Sequence, residues 1–191
     1  MPKTRLVIMT EAMVGTVAGT RIEPETVRGS LQTPVGVVTV LADDEGIRSI
    51  GWRYRAAAAP ARDGSPADEH IATAIEQLDE YFAGRRMDFD LPIRLDGLGE
   101  STRAVLTVLK ETVDYGETVT YGELAARSGG IVPARTIGSI MGSNPVPIVI
   151  PCHRVVAADG LGGYSGGESG QGRQTKLWLL EHEGALPPAL I

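Results

Sequence analysis

Cysteine is nearly missing from this chain. Cys152 is the single one in 191 residues. That excludes an internal disulfide and any zinc site built on several thiolates, and it fits a reducing compartment. Histidine is almost as scarce. His70, His153 and His182 lie far apart in the sequence and give no metal-ligand pattern, so no metal and no other cofactor is implied. No stretch approaches the ~18 consecutive apolar residues of a membrane span. Residues 1–29 carry Arg and Glu throughout and lack a continuous apolar core, a poor signal peptide. A soluble cytoplasmic protein is expected. An excess of positive charge is missing too, since the formal net charge is −6. The acidity is unevenly spread: residues 1–100 hold eleven basic and sixteen acidic residues, whereas residues 101–156 hold five and four. A neutral-to-basic face around Cys152 can still meet DNA, with a shallow salt dependence.

What is present is ordinary globular material, 42% hydrophobic and 22% charged, long enough for one or two cores. Residues 1–29 read as an extension of uncertain order, with one candidate strand at Arg5–Met9. From Ser30 the pattern sharpens. Val35–Leu41 is β-branched, Asp43-Asp44-Glu45-Gly46 is a turn, and Ile47–Tyr54 alternates, which together predict a hairpin. Ala56–Pro66 reads as a loop. Asp68–Phe82 has apolar residues at helical spacing (Ile71, Ile75, Leu78, Phe82). Phe89–Leu95 reads as an edge strand, because Pro92 cannot donate to a central ladder. This places an N-terminal α/β domain at 30–95, a linker at 96–100, a helical domain at 101–186 and a tail at 187–191.

In the second half, Thr102–Val113 is predicted helical. Thr120 and Glu123 have capping-box spacing for a helix ending near Arg127, and Ser128-Gly129-Gly130 breaks it. Pro133 suits the start of a helix running to Met141. Two short helices about a Gly-containing turn fit a DNA-binding helix-turn-helix, and also a plain αα-hairpin, which is the commoner of the two. A last helix covers Gln174–Glu183.

The chemistry concentrates in Ile150-Pro151-Cys152-His153-Arg154-Val155. A thiol beside an imidazole is an arrangement for making a thiolate, because an adjacent base or cation lowers the free pKa of ~8.5. A buried structural cysteine is the plain alternative.

Three blocks in order carry a resemblance: Gly116-Glu117-Thr118-Val119-Thr120-Tyr121-Gly122-Glu123-Leu124-Ala125, Asn144-Pro145-Val146-Pro147 running into Ile148-Val149-Ile150-Pro151-Cys152-His153-Arg154-Val155-Val156, and Gly163-Tyr164-Ser165-Gly166-Gly167. The chain resembles the O6-alkylguanine-DNA alkyltransferases, also called methylated-DNA–protein-cysteine methyltransferases. The resemblance covers residues ~101–186 well and the preceding region loosely. It implies an α+β fold, with a ribonuclease H-like N-terminal domain carrying an antiparallel sheet and a mostly helical C-terminal domain with a helix-turn-helix. It implies a monomer acting on double-stranded DNA that contains O6-alkylguanine, with O4-alkylthymine as a second candidate lesion. The base would be flipped out, since a thiol cannot reach O6 inside the stack. Cys152 would take the alkyl group as a thioether and act once. His153 would be the base, through a water, and Glu183 would orient it. A Glu183→Gln exchange would then slow transfer without unfolding the protein.

By the same resemblance Asn144 would hold the turn presenting Cys152. Tyr121 would contact the flipped base and its 3′ phosphate, and Arg135 would fill the gap in the duplex. Ser165 and the main chain of Val155 would hydrogen-bond the guanine, and Tyr164 and Met141 would join the substrate- or DNA-contacting set. Each position also has an ordinary reading: a turn Asn before Pro, a core Tyr, a solvated helix Arg and an exposed helix-end Glu. Arg154 reads as structural, pairing with an acidic group. The chain departs from the family at Ser101 and Thr107, where aromatic residues are common, which would thin the packing under that helix. Residues 168–175 form a longer link that could widen or cover the pocket. Two other readings stand beside repair: a non-reacting, lesion-binding or regulatory DNA protein on the same scaffold, and an unrelated Cys-His-Glu hydrolase.

Overall fold

The computed structural model describes residues 7–8, 26–52, 64–130 and 132–187. Two compact units divide the chain, Met1–Arg94 and Leu95–Ile191. Among the described residues no helix is long and apolar enough to cross a membrane.

The first unit is a four-stranded antiparallel sheet in the order β1 (Val7–Ile8), β2 (Val27–Thr33), β3 (Gly36–Asp43) and β4 (Gly46–Gly51). Helix α1 (Pro66–Phe82) packs on it, with Ser65 capping its N-terminus through the amide of Asp68. The predicted hairpin is present as β3–β4, and Asp43 Oδ1 accepts from the amides of Glu45 and Gly46 to hold its turn. β2 opens at Val27, ahead of the expected boundary at Ser30. Its inward residues are Val27, Gly29, Leu31 and Thr33. Gly29 has no side chain because α1 is in the way: a Cβ there would lie 2.4 Å from Ile71 and 2.5 Å from Ile75. That glycine broke the apolar alternation and hid the strand. The expected edge strand at 89–95 is reduced to a single parallel bridge between Ile47 and Ile93. The Ala56–Pro66 loop lies mostly outside the described residues, and so do most of residues 1–29 and of the 187–191 tail.

The second unit begins with a turn at Asp96–Leu98 and continues as α2 (Glu100–Thr112). A two-stranded parallel sheet pairs β5 (Val119–Thr120) with β6 (Val155–Val156). Helices α3 (Tyr121–Arg127) and α4 (Ala134–Gly142) pack on each other, and α5 (Gly172–His182) closes the unit. The capping box forms as expected: the Glu123 amide donates to Thr120 Oγ1 and the Thr120 amide to Glu123 Oε2. Pro133 is the residue just before α4. Val105, Leu106, Leu109, Leu124, Ile137, Ile148, Ile150 and Leu179 are buried in this core. Ser101 and Thr107 are both exposed, so the missing aromatics leave no gap beneath α2. Thr107 is on the outer face, opposite Val105 and Leu109, whereas Ser101 lies on the stripe of Val105 and is exposed in the first turn of the helix, ahead of the first buried residue.

Candidate functional site

All the candidate residues lie within the second unit. Cys152 opens a 3-10 turn, Cys152–Arg154, which runs directly into β6. The approach to it is unusual. Ile148 is buried and has a φ of 76°, a left-handed conformation that is an outlier for a β-branched residue. Asn144 holds this turn from both ends: its Nδ2 donates to Ile150 O at 2.8 Å, and its Oδ1 accepts from the Val146 amide at 3.1 Å. Asn144→Ala should therefore cost about 1–3 kcal/mol in stability, the price of leaving such groups unsatisfied, and displace the thiol. A denaturation midpoint equal to wild type would show that packing alone keeps Ile148 in place.

The residue triplet after Pro151 is almost sealed from solvent. Cys152 is 4% exposed and His153 0%. His153 Nε2 lies 2.8 Å from Glu183 Oε1, and its Nδ1 has no hydrogen-bond partner. Arg154 grips the same carboxylate, with Nε to Oε2 at 2.8 Å and Nη2 to Oε1 at 3.1 Å, and donates from Nη1 to the Val113 carbonyl. Its guanidinium lies over the ring of Tyr115. Glu183 caps the C-terminal end of α5 and is itself buried.

These contacts decide the protonation states. Burial opposes ionisation of Glu183, but the hydrogen bonds and charges of His153 and Arg154 outweigh it and hold the carboxyl below the usual carboxylate range. An ionised Glu183 can only accept, so Nε2 of His153 carries the proton and Nδ1 presents a lone pair. Burial lowers the His153 pKa more than the carboxylate raises it, which keeps the imidazole neutral. Cys152 differs from the sequence expectation. Burial pushes its thiol up to about 11, and the hydrogen bond from Asn144 and the charge of Lys176 offset this only in part. The resting group is a thiol, because a buried anion is costly and the neighbouring imidazole is uncharged.

A cavity of about 320 Å³ leads to Cys152, lined by Tyr121, Gly138, Met141, Gly142, Gly163, Tyr164 and Ser165. Tyr121, the first residue of α3, fits against Gly162. That glycine has a φ of 70°, and a Cβ there would stand 3.1 Å from the Tyr121 hydroxyl. Tyr164 also meets His153 edge to face. A shallower depression of about 370 Å³ adjoins, lined by Tyr121, Ala134, Arg135 and Gly138. Arg135 is exposed there on α4. Thus Cys152, Tyr121, Met141, Tyr164 and Ser165 share one cavity, with Arg135 at its margin.

Val155 stands apart from the cavity lining. Its amide donates to Cys152 O and its carbonyl accepts from Lys176 Nζ at 2.6 Å. None of residues 168–175 is among the cavity lining. They form a turn closed by the Gln171 amide on Glu168 O, and then the first turn of α5. Lys176 was not a candidate from sequence, yet its side chain is fully buried in this region. The signal was available: it shares the inward face of α5 with Thr175, Leu179, Leu180 and Glu183. Among the described residues no cluster of three metal-ligating side chains forms.

Comparison with known proteins gives a consistent answer. The family description "6-O-methylguanine DNA methyltransferase, ribonuclease-like domain" matches residues 26–95, and "6-O-methylguanine DNA methyltransferase, DNA binding domain" matches residues 100–185. A methylated-DNA–protein-cysteine methyltransferase of Mycolicibacterium paratuberculosis is 39% identical over 143 residues, covering 72% of this chain and 83% of that protein. The Mus musculus protein of the same name is 56% identical over 84 residues, 44% of this chain and 38% of its own. The crystal structure of Mycobacterium tuberculosis OGT in complex with DNA superposes with a TM-score of 0.69 at 32% identity, covering 84% of this chain and 94% of that one.

Proposed function

The chain belongs to the 6-O-methylguanine DNA methyltransferase family, and from that premise we propose that it repairs O6-alkylguanine in duplex DNA by moving the alkyl group irreversibly onto Cys152. The observation that carries this reading is the pairing of a buried thiol at the end of a cavity with a neutral imidazole whose Nδ1 is unpartnered and whose Nε2 is fixed on an ionised carboxylate. The flipped base enters between Tyr121 and Ser165. His153 Nδ1 takes the thiol proton through one water. The Cys152 sulfur attacks the alkyl carbon, an S–C bond forms and the C–O6 bond breaks, and its electron pair stays on the guanine. The proton that left the thiol then neutralises the base. Alkyl group and proton have exchanged places, so no further reactant is needed. A thioether has no easy leaving route, and each molecule acts once.

The high thiol pKa fits this sequence of events. A resting thiol in a nearly sealed site is protected from oxidation, which acts on exposed thiolates. The cytoplasm, where thiols stay reduced, is the compartment we assign to it.

The decisive test is the intact mass of the protein after incubation with an O6-methylguanine oligonucleotide. One step of about 14 Da confined to Cys152 is expected, since a methyl replaces the thiol hydrogen. Tight binding without a mass change would instead favour the non-reacting, lesion-binding protein.

Arg135 supports the duplex part of the proposal. It is exposed at the N-terminal end of α4, at the margin of the cavity. Arg135→Ala should slow repair in duplex DNA about tenfold or more, because extrusion costs a few kcal/mol, while reaction with free O6-benzylguanine stays near wild type. Equal losses on both substrates would place Arg135 in the pocket chemistry instead.

A further inference from the structure

Lys176 is the most unusual group that this chemistry leaves unused. Its side chain is fully buried on the inward face of α5. A lysine is almost never buried without a carboxylate beside it. Here Nζ meets only carbonyls: Val155 O at 2.6 Å and Gly163 O at 3.0 Å. The other cation of the site, Arg154, is matched by Glu183. Those two charges cancel and His153 is neutral, so the ammonium of Lys176 is the uncompensated charge among the described groups around the nucleophile.

The two carbonyls explain where the charge has been put. Val155 lies three residues after Cys152, and Gly163 opens the Gly163–Ser165 wall of the cavity. One side chain ties the pocket wall to the strand behind the thiol. An uncharged side chain of similar length, such as Met, could fill this space without burying a charge. Retaining an ammonium makes sense where a negative charge is going to develop. We propose, resting on the alkyl-transfer reading, that Lys176 is a positioning residue for that reaction: its buried ammonium fixes the Gly163–Ser165 wall and offsets the charge that forms on Cys152 sulfur as the thiol is deprotonated.

The surrounding groups agree in direction. Lys176 is the one charged side chain that pulls the ionisation of Cys152 downward. Burial lowers its own pKa to about 8, so it stays mostly charged at neutral pH and fades above that. It also disfavours imidazolium at His153, together with Arg154, while Glu183 favours it. Tyr164, the next residue after Gly163, is held neutral by burial. The net effect of Lys176 is to stabilise thiolate while urging the proton onward from His153.

The test uses the whole protein and two readouts. Cys152 is first labelled by iodoacetamide across the pH range without DNA. Single-turnover transfer from an O6-methylguanine oligonucleotide is then measured over the same range. In Lys176→Met the midpoint of thiol labelling should move up by about one pH unit, and transfer at neutral pH should fall roughly tenfold. The deficit should shrink above pH 8, where the wild-type ammonium also loses its charge. Lys176→Arg should keep the wild-type midpoint. Lys176→Gln, which retains a donor without the charge, gives the same comparison if the Met variant does not fold. An unshifted labelling midpoint with a rate loss equal at every pH would overturn the proposal and leave Lys176 as a structural tie. A shifted midpoint in the variant, with no transfer by wild type, would instead overturn the repair reading and keep the coupling between Lys176 and Cys152.

Discussion

Cys152→Ala should abolish alkyl transfer altogether while duplex binding changes by less than about threefold. The thiol is the only cysteine in the chain, so no second sulfur can take over. Its side chain lines the cavity and is buried, whereas Arg135 is exposed on α4 and lines the adjoining depression. Removing one sulfur therefore leaves the proposed DNA-facing surface untouched. Cys152→Ser should be equally inactive, because a hydroxyl ionises far less readily than a thiol and the burial that pushes the thiol to about 11 would penalise an alkoxide further. The checks are intact mass after incubation with the methylated oligonucleotide and a binding isotherm at fixed salt, since phosphate contacts make affinity salt-dependent. A mass increase in the alanine variant would show that the nucleophile lies elsewhere.

Glu183→Gln should cost both rate and stability. From sequence alone the exchange should be conservative, slowing transfer without unfolding the protein. The tertiary structure changes that expectation, because Glu183 also holds Arg154 in a buried, three-cornered arrangement with His153. A glutamine leaves the Arg154 guanidinium uncompensated, a loss of about 3 kcal/mol or more for breaking a buried pair. That should lower the melting point by about 10 °C or more in a unit of this size. The pH dependence has a definite sign. The folded carboxyl lies below its unfolded value of ~4.3, so its stabilising contribution is complete above that value and disappears as pH falls through the folded pKa. The gap between wild type and variant should therefore be full at neutral pH and close in strong acid. The rate defect behaves differently: it should shrink towards alkaline pH, where hydroxide deprotonates the thiol without His153. A variant as stable as wild type would mean that Arg154 finds another acceptor. A rate loss independent of pH would remove Glu183 from the proton path.

Much of the site was legible because its residues are adjacent in the chain or sit at fixed spacing. Pro151-Cys152-His153 is a contiguous signal, and Asn144 precedes a proline-rich turn that chain connectivity must bring back to Cys152. Thr120 and Glu123 specify a helix start through purely local hydrogen bonds, which is why the capping box was readable and is present. β2 was harder. Its inward face includes Gly29, and only the approach of Ile71 and Ile75 explains a glycine there. Ser101 and Thr107 mislead in the opposite way, since helix phase turns Thr107 outward and Ser101 lies in the first turn of α2, ahead of the buried residues.

What the sequence determined by itself is the identity of the reactive groups and the local elements that carry them: a lone thiol next to an imidazole, a helix pair whose first member is capped and an acidic residue at the end of the last helix. These follow from short-range patterns that survive any packing. What only the tertiary structure decided is their charge. Sequence adjacency pointed to an activated thiolate, yet burial holds Cys152 as a thiol and His153 as a neutral base. Glu183 is ionised because Arg154 and His153, 29 and 30 residues earlier in the chain, converge on it, and Lys176 is cationic among carbonyls. Protonation depends on desolvation and on distances between groups far apart in the chain, and neither quantity is written in residue order.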